Sequence, residues 1–362
     1  MRGKVPGQQT LVLLGSVEER IPRKHPLRQI KKVTDTVLGR MGSTFDSMYS
    51  SVGRPSIPPE RLLKAQLLIA LYSIRSDRQF CEQLEYNLMY RWFLDMNLDE
   101  PVFDPSTFSH NRQRLIEHEV ATQLLGEVVR EAKRWDMISR EHFSVDGTLI
   151  KSWSSMKSFR PKDEPPEDGD SNGWSDFSGT KRSNETHESK TDPDSRLARK
   201  GHGQEAKLAY CGNLLMENRN DLVVDVDIAH ATGRAEREGA IRMLKRQKTE
   251  SRRWTLGADK GYDTKNFVSE CRELDVTPHV AQNIYGNRRS AIDNRTTWRP
   301  GYRASQKCRR GIEKAFGWMK KIAGDWERTR FRGLAKVSLA AYLSAAAFDL
   351  LRIGRFTAAS AA

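Results

Sequence analysis

Cysteine is scarce in this chain and scattered. The four residues, Cys81, Cys211, Cys271 and Cys308, show no CxxC spacing, which excludes a zinc ribbon and argues against a disulfide framework. The thiols are therefore expected to be reduced and structural. Long apolar runs are missing as well. The opening MRGKVPGQQTLVLLG has too short a run, and no small-residue cleavage site, for a signal peptide. The most apolar stretch, VSLAAYLSAAAF at 337–348, falls short of the roughly 20 residues a bilayer span requires and is expected to pack as a helix inside the protein. No feature directs the chain out of the cytoplasm.

Negative charge is in deficit. Against 61 Lys plus Arg stand 47 Asp plus Glu, a formal net charge of +14, and a surface so biased attracts polyanions by steering and counterion release. Nucleic acid is the leading partner. The 362 residues exceed the roughly 250 to 300 at which one core stops growing, so two globular parts are expected.

Residues 1–135 are expected to form a helical unit, the first domain. Leu27, Ile30, Val33, Val37, Leu38 and Met41 recur at helical spacing, and after GRPSIPP the run RLLKAQLLIALYSI is apolar on nearly every side. A third helix opens at Ser76, with Gln79 at capping-box distance, and carries Phe80, Leu84, Leu88, Trp92 and Phe93 inward. A fourth begins in DPSTFSHNRQRL, burying Leu115 and Ile116 and turning His110, Asn111, Arg112 and Arg114 outward. The last two helices resemble a helix-turn-helix reader of DNA, with Arg112 and Arg114 as its contacts, although an ordinary helical bundle accounts for the same pattern.

From His142 the periodicity changes. HFSVDGTLI, KLAYCGNLLME and LVVDVDIAHA are strand-like, the last two joined by a turn at NRND. A helix, the strand WTLGAD, a second helix, the short strand VTPHVAQN and the basic helix SQKCRRGIEKAFGWMKKIAG follow. This order predicts an α/β ribonuclease-H-like domain over 136–355, a mixed sheet with helices on both faces, and a tail at 356–362. In that architecture the first strand is central and the fourth lies beside it. Between the first two strands, at about 158–204, lies an insert rich in Pro, Gly, Ser, Asp and Glu, expected to be a long solvated loop. His187, Asp192, Asp194 and His202 within it match no metal-ligand spacing.

Three carboxylates then stand in settings suited to phosphodiester chemistry. Asp146 lies in the first strand, Asp259 ends the fourth, and Glu313 sits on the basic helix. Two divalent ions can activate a hydroxyl nucleophile and steady the leaving oxygen, and Mg²⁺ prefers carboxylate oxygen, with Mn²⁺ able to substitute. Asp146 would bridge both ions, while Asp259 and Glu313 would each hold one. Taken singly, each has a bland explanation: a turn pair, a loop residue, or a helix-surface ion pair with Arg309. Around Glu313 the segment 288–332 is dense in Arg and Lys, a stripe suited to positioning DNA by its phosphates. Arg309 and Lys320 share a helix face with Glu313, and Lys260 and Arg310 stand beside the second and third carboxylates as further DNA contacts.

Over almost its whole length the chain resembles bacterial insertion-sequence transposases of the DDE type, specifically insertion-sequence family five. The segment from GRPSIPPERLLKAQLL to DPSTFSHNR looks like that family's leader domain. HFSVDGTLIKSWSSMKSFRPKD, KRSNETHESKTDPDSRLARKG, TLGADKGYD and TPHVAQN look like its catalytic core. The resemblance implies Asp146, Asp259 and Glu313 as catalytic and metal-binding residues, with Mg²⁺ as cofactor. It further implies terminal inverted repeats and target DNA as substrates, a dimer or larger synaptic complex, and a bacterial cytoplasmic, nucleoid-associated protein. A Tyr, Arg, Glu, Lys signature surrounds the third carboxylate in the wider group. Arg309, Glu313 and Lys320 fit it, but Gln306 stands where the Tyr belongs, with Tyr302 one turn earlier. The same features leave open an inactive DNA-binding relic or a metal-dependent nuclease without strand transfer.

Overall fold

The computed structural model describes residues 16–50, 52, 56–162, 183–201, 203–248, 252–286 and 289–360. Eight helices come first: α1 (Val17–Arg20), α2 (Pro26–Arg40), α3 (Gly42–Ser47), α4 (Pro59–Leu71), α5 (Asp77–Tyr86), α6 (Leu88–Phe93), α7 (Pro105–Glu117) and α8 (Val120–Arg134). Prolines stand at the first turns of α2, α4 and α7, where a missing N–H costs nothing. Ser76 caps α5 by accepting from the Gln79 amide at 3.1 Å, but the Gln79 side chain reaches back to the Arg75 amide and not to that of Ser76. The single helix expected over 76–93 is two. Asn87 breaks it, its side chain accepting from the amides of Met89 and Tyr90 and so starting α6 afresh.

The second half builds a sheet from β1 (His142–Lys151), β4 (Arg196–Ala198), β5 (Lys207–Glu217), β6 (Val223–His230), β7 (Trp254–Ala258) and β8 (Val276–Val280). Within the insert, β2 (Phe159–Pro161) pairs antiparallel with β3 (His187–Ser189). Across the main sheet the order is β6, β5, β1, β7, β8; β1 is antiparallel to β5 and parallel to β7, and β4 extends the line of β6 along the outer edge of β5. This is the ribonuclease-H-like arrangement, with the first strand central and the fourth at its side. Five further helices complete it: α9 (Ala235–Gln247), α10 (Lys265–Glu273), α11 (Asn294–Thr297), α12 (Pro300–Cys308) and α13 (Gly311–Trp318). The chain then enters a π-helical turn at Met319–Ala323 and the long α14 (Leu334–Ser360). The basic helix expected as one piece is broken at Arg309 and Arg310, between α12 and α13.

Glycines reveal which helix covers which face. Ser144 and Gly257 are paired across β1 and β7, and a Cβ on Gly257 would lie 3.2 Å from Ser144 Oγ and 3.4 Å from Arg309 Cβ, so α12 packs on that side. Gly147, three residues on and therefore on the opposite side, has Glu236 of α9 over it. One apolar cluster runs without interruption from Leu27, Val37 and Leu68 through Val128 to Leu214, Val226, Leu256, Ala346 and Leu350. Its hinge-pin is α14, which packs against α2, α4, α8 and β6. The helix has the length and hydropathy to cross a membrane, but 67% of its most apolar window is buried in the protein, as a helix apolar on all sides should be.

The described part of the insert departs from the expected solvated loop. Asp192 is fully buried, accepting from Ser152 Oγ and Tyr210 OH at 2.6 Å each and from the Gly333 amide at 3.1 Å. Asp194 accepts from the Leu334 amide at 2.8 Å. Together they supply the acceptors that the first turn of α14 lacks internally. His202 lies outside the described residues, as do Arg288 and residues 163–182.

Candidate active site

Asp146 stands in the middle of β1, and Asp259 follows the last residue of β7. Each lies two positions beyond the Ser144–Gly257 pair, so strand alternation turns both toward the side that α12 covers. Local hydrogen bonds fix them: Asp146 Oδ1 accepts from the Gly147 amide at 2.9 Å, and Asp259 Oδ1 from the Gly261 amide at 2.7 Å, capping a 3₁₀ turn. Burial, reinforced by the charges of Asp259 and Glu236, pushes the Asp146 carboxyl up to about 7, against the opposing pull of the Gly147 amide and Arg309. A carboxylate so placed is short of positive charge. The donor set suits a hard divalent cation.

Cations line the same side. Arg309 is half-buried, its Nε donating to Gln306 Oε1 at 3.0 Å. Lys320 Nζ donates to Thr148 Oγ1 at 2.6 Å, two residues past Asp146 on the same side of β1, and burial together with Lys200 pulls its pKa down. Gln306, at the position where a Tyr was expected, uses its amide to donate to the carbonyls of Ala258 and His279, tying α12 to the ends of β7 and β8 while orienting Arg309. Tyr302 OH donates to the Val280 carbonyl at 3.0 Å. Lys260 and Arg310 are exposed.

Glu313 is placed differently. It is exposed in the first turn of α13, whose start is held over the turn after β5 by Lys314 and Asp221, 3.5 Å apart. The charges acting most strongly on Asp146 are those of Asp259, Glu236 and Arg309. Among the described residues, no three His, Cys, Asp or Glu side chains converge closely enough to hold a metal ion. Glu236 itself, in the first turn of α9, escaped the sequence reading. An acid at a helix N-terminus is ordinary, and nothing in its spacing marks it.

The expected outward face of α7 is corrected at two positions. Arg112 is 8% exposed, ion-paired with Asp77 and laid over Phe331 with 4.9 Å to the ring centre; Asn111 is buried too. Arg114 rests on the Tyr49 ring at 4.6 Å and donates to Asn111 Oδ1 at 3.1 Å. Arg112 thus meets Asp77 of α5 and Phe331 before α14, while His110 and Gln113 stay exposed. Between α5 and α7 lie α6 and residues 94–104, where a helix-turn-helix has a turn of about three or four residues.

A ribonuclease-H-like sheet with one aspartate in its central strand and another just past the end of the parallel neighbour defines the class of protein. Two family models then match the sequence: the transposase domain DUF772 over residues 15–114 and the transposase DDE domain over 174–350. The two matched transposase domains together give the chain the two-part architecture of insertion-sequence transposases. The second match contains Asp259 and Glu313 but begins beyond Asp146. No curated protein sequence matches the chain. Among solved structures, the chain is distantly similar to a piggyBac transposase synaptic complex with hairpin DNA, at 12% identity and a TM-score of 0.41, over 93% of this chain and 76% of that one. A Mos1 transposase paired-end complex with the left transposon end follows at 13% and 0.20, over 78% and 83%. The mariner Mos1 paired-end complex with Mn stands at 14% and 0.21, over 81% and 88%.

Proposed function

We propose that this transposase binds the terminal inverted repeats of its own insertion sequence, a member of family five, cuts the DNA at those ends and joins the freed 3′-hydroxyls to target DNA. What supports this reading is the placement of Asp146 in β1 and Asp259 just past β7, its parallel neighbour, on the side where Arg309 packs on Gly257 and Lys320 bonds Thr148. Asp146 and Asp259 would hold Mg²⁺ ions, with Mn²⁺ able to substitute, and Glu313 would join them. Two bound ions would polarise the scissile phosphodiester and acidify the attacking hydroxyl. The chain's own part is positional. Arg309, fixed by Gln306, and Lys320, fixed on Thr148, present positive charge over the carboxylates where a phosphate must sit. Exposed Lys260 and Arg310 extend that surface along the DNA backbone. Arg112, buried against Asp77, is left out of this set.

In this reading residues 1–135 supply end binding, and 136–355 supply chemistry, with 356–362 a tail beyond it. Two ends must be held at once, so a homodimer or larger assembly forms on DNA. The test is cleavage and joining of labelled DNA carrying the flanking repeats, with Mg²⁺, by wild type and Asp259→Asn. Joined product from wild type and none from the variant is expected. Equal product from both would refute the role of Asp259. Cut ends without joining would make the chain a nuclease, and cognate binding without cutting would make it an inactive relic.

A further inference from the structure

The two edges of the sheet differ in what covers them. On β6 pack α8 of the helical unit and the long α14, while β8 forms the opposite edge, with β1 and Asp146 between. Beside β8 opens a cavity of about 270 Å³, lined by four arginines brought from four places: Arg253 before β7, Arg272 of α10, Arg295 of α11 and Arg299 at the start of α12. Asp275 and Asp293 share it, and Asp293 is already engaged by Arg272 at 3.7 Å and by the Thr296 amide at 3.0 Å. The positive charge is therefore in excess. Arg253, Arg295 and Arg299 enter no ion pair among the described residues.

From that cavity α12 crosses the sheet toward the aspartates. Its Gly301 lies over His279 of β8, its Gln306 bonds the Ala258 carbonyl at the end of β7, and Arg309 at its end packs on Gly257. Tyr302, Ser305 and Gln306 fasten the helix to the strands. Arg299, Arg303 and Lys307, at i, i+4 and i+8, form an exposed row along it, about 12 Å long at 1.5 Å per residue. No acidic residue stands between Asp293 and Glu313, so the row lacks the i,i+4 partners that balance charge on a solvated helix face. Arg299 is also the N-cap of α12, which has no side-chain cap and no acid in its first turn. A cation is disfavoured at that end of a helix, and an anion seated there relieves the conflict.

We infer that the arginine cavity and the α12 row are one docking surface for duplex DNA of arbitrary sequence, the flank that lies beyond the cut from the terminal repeat. This rests on the reading that residues 1–135 bind the repeat and that cutting takes place at Asp146 and Asp259. A duplex held by the helical unit on the β6 side and cut over β1 and β7 continues toward β8, where the row meets it. One strand presents a charge about every 3.4 Å along the axis, so the row faces about three or four phosphates. Contacts to phosphate carry no sequence information, as suits DNA that the element does not itself encode.

The test is fluorescence anisotropy of labelled duplexes with the full chain in EDTA, so that nothing is cut. One duplex carries the terminal repeat and stops at the cut; the other extends the same repeat by a flank of arbitrary sequence. Wild type is expected to bind the flanked duplex more tightly and with a steeper dependence on salt. Arg295→Ala and Arg303→Ala should each lower the slope of log K against log salt by about 0.9 on the flanked duplex, and leave the bare repeat unchanged. Arg303→Lys, which keeps the charge, should keep the slope. Lys245→Ala, exposed on α9 across the sheet, removes the same charge and should change neither. A flank that adds nothing in wild type overturns the proposal, as does an unchanged slope in the arginine variants, an equal loss on both duplexes, or the same loss in Lys245→Ala. A bare repeat bound no better than a scrambled one would instead sink the end-binding reading, and the slopes on the flanked duplex would still report whether these arginines meet DNA.

Discussion

Replacing Glu217 by Gln changes one atom and should cost the whole protein several degrees of thermal stability. Glu217 ends β5 and is fully buried. Its Oε1 accepts from the amides of Asn220 at 2.6 Å and Leu222 at 3.1 Å, and its Oε2 from those of Ser139 at 2.9 Å and Arg219 at 2.8 Å. Four backbone donors thus converge on one carboxylate, three from the turn into β6 and one from the segment leading to β1. A Gln side chain has the same shape but offers one oxygen, so two of the four amides would face an NH₂ group. Hydrogen bonds to a charged group contribute about 1.5–3 kcal/mol each. Losing two, less the relief of no longer burying a charge, leaves a net cost on the order of 3 kcal/mol. With unfolding entropy of about 2.1 cal/mol/K per residue, a chain of this length loses about 4 °C in Tm. Differential scanning calorimetry measures it, and hydrogen exchange should quicken at Ser139, Arg219, Asn220 and Leu222 ahead of the rest of β5. A Tm within 1 °C of wild type would refute the reasoning, since it would mean that the four amides find other acceptors.

Arg112→Ala should lower stability by about 3 kcal/mol, because it strands the buried Asp77 carboxylate without its partner, while leaving the affinity of folded protein for cognate ends unchanged in a gel-shift titration. Lost affinity at full stability would make Arg112 a DNA contact after all. His279 is buried against Ser305 Oγ at 2.7 Å, and burial, with His142 and Arg299 adding to it, holds its pKa down at about 4. The folded protein therefore keeps the ring neutral while the unfolded chain protonates it near the usual 6.5. Stability should fall by about 2.5 kcal/mol as pH drops from 6.5 to 4 and level off below that. In urea titrations across that range His279→Gln should lose this component of the slope; a slope identical to wild type would exclude His279 as its source.

Much of the catalytic half was legible because burial leaves its imprint on strand sequences. LVVDVDIAHA and KLAYCGNLLME are apolar where two helical layers cover the sheet, and the order of strands and helices then gives the neighbourhood of Asp146 and Asp259. What escaped had no local signal. The break at Arg309 and Arg310 contains neither Gly nor Pro. Arg112 looks like a surface residue until Asp77 and Phe331 are brought around it from 35 and 219 positions away in sequence. Glu236 carries the pattern of an ordinary helix-opening acid, and only the absence of a side chain at Gly147, distant in sequence, lets it lie against the backbone of β1.

The packing of α14 reaches beyond stability. Gly354 sits against Ile30, with 3.4 Å between its would-be Cβ and Ile30 Cγ1, a contact between residues 324 positions apart. Closing so long a loop costs little more than closing a short one, but on a ribosome it imposes a delay. At about 5–20 residues per second, the helical region waits roughly 10–45 s for the helix that completes its core. A nascent chain already past Asp259 and Glu313 still lacks the segment that joins its two halves, so the shared core closes only when α14 has emerged.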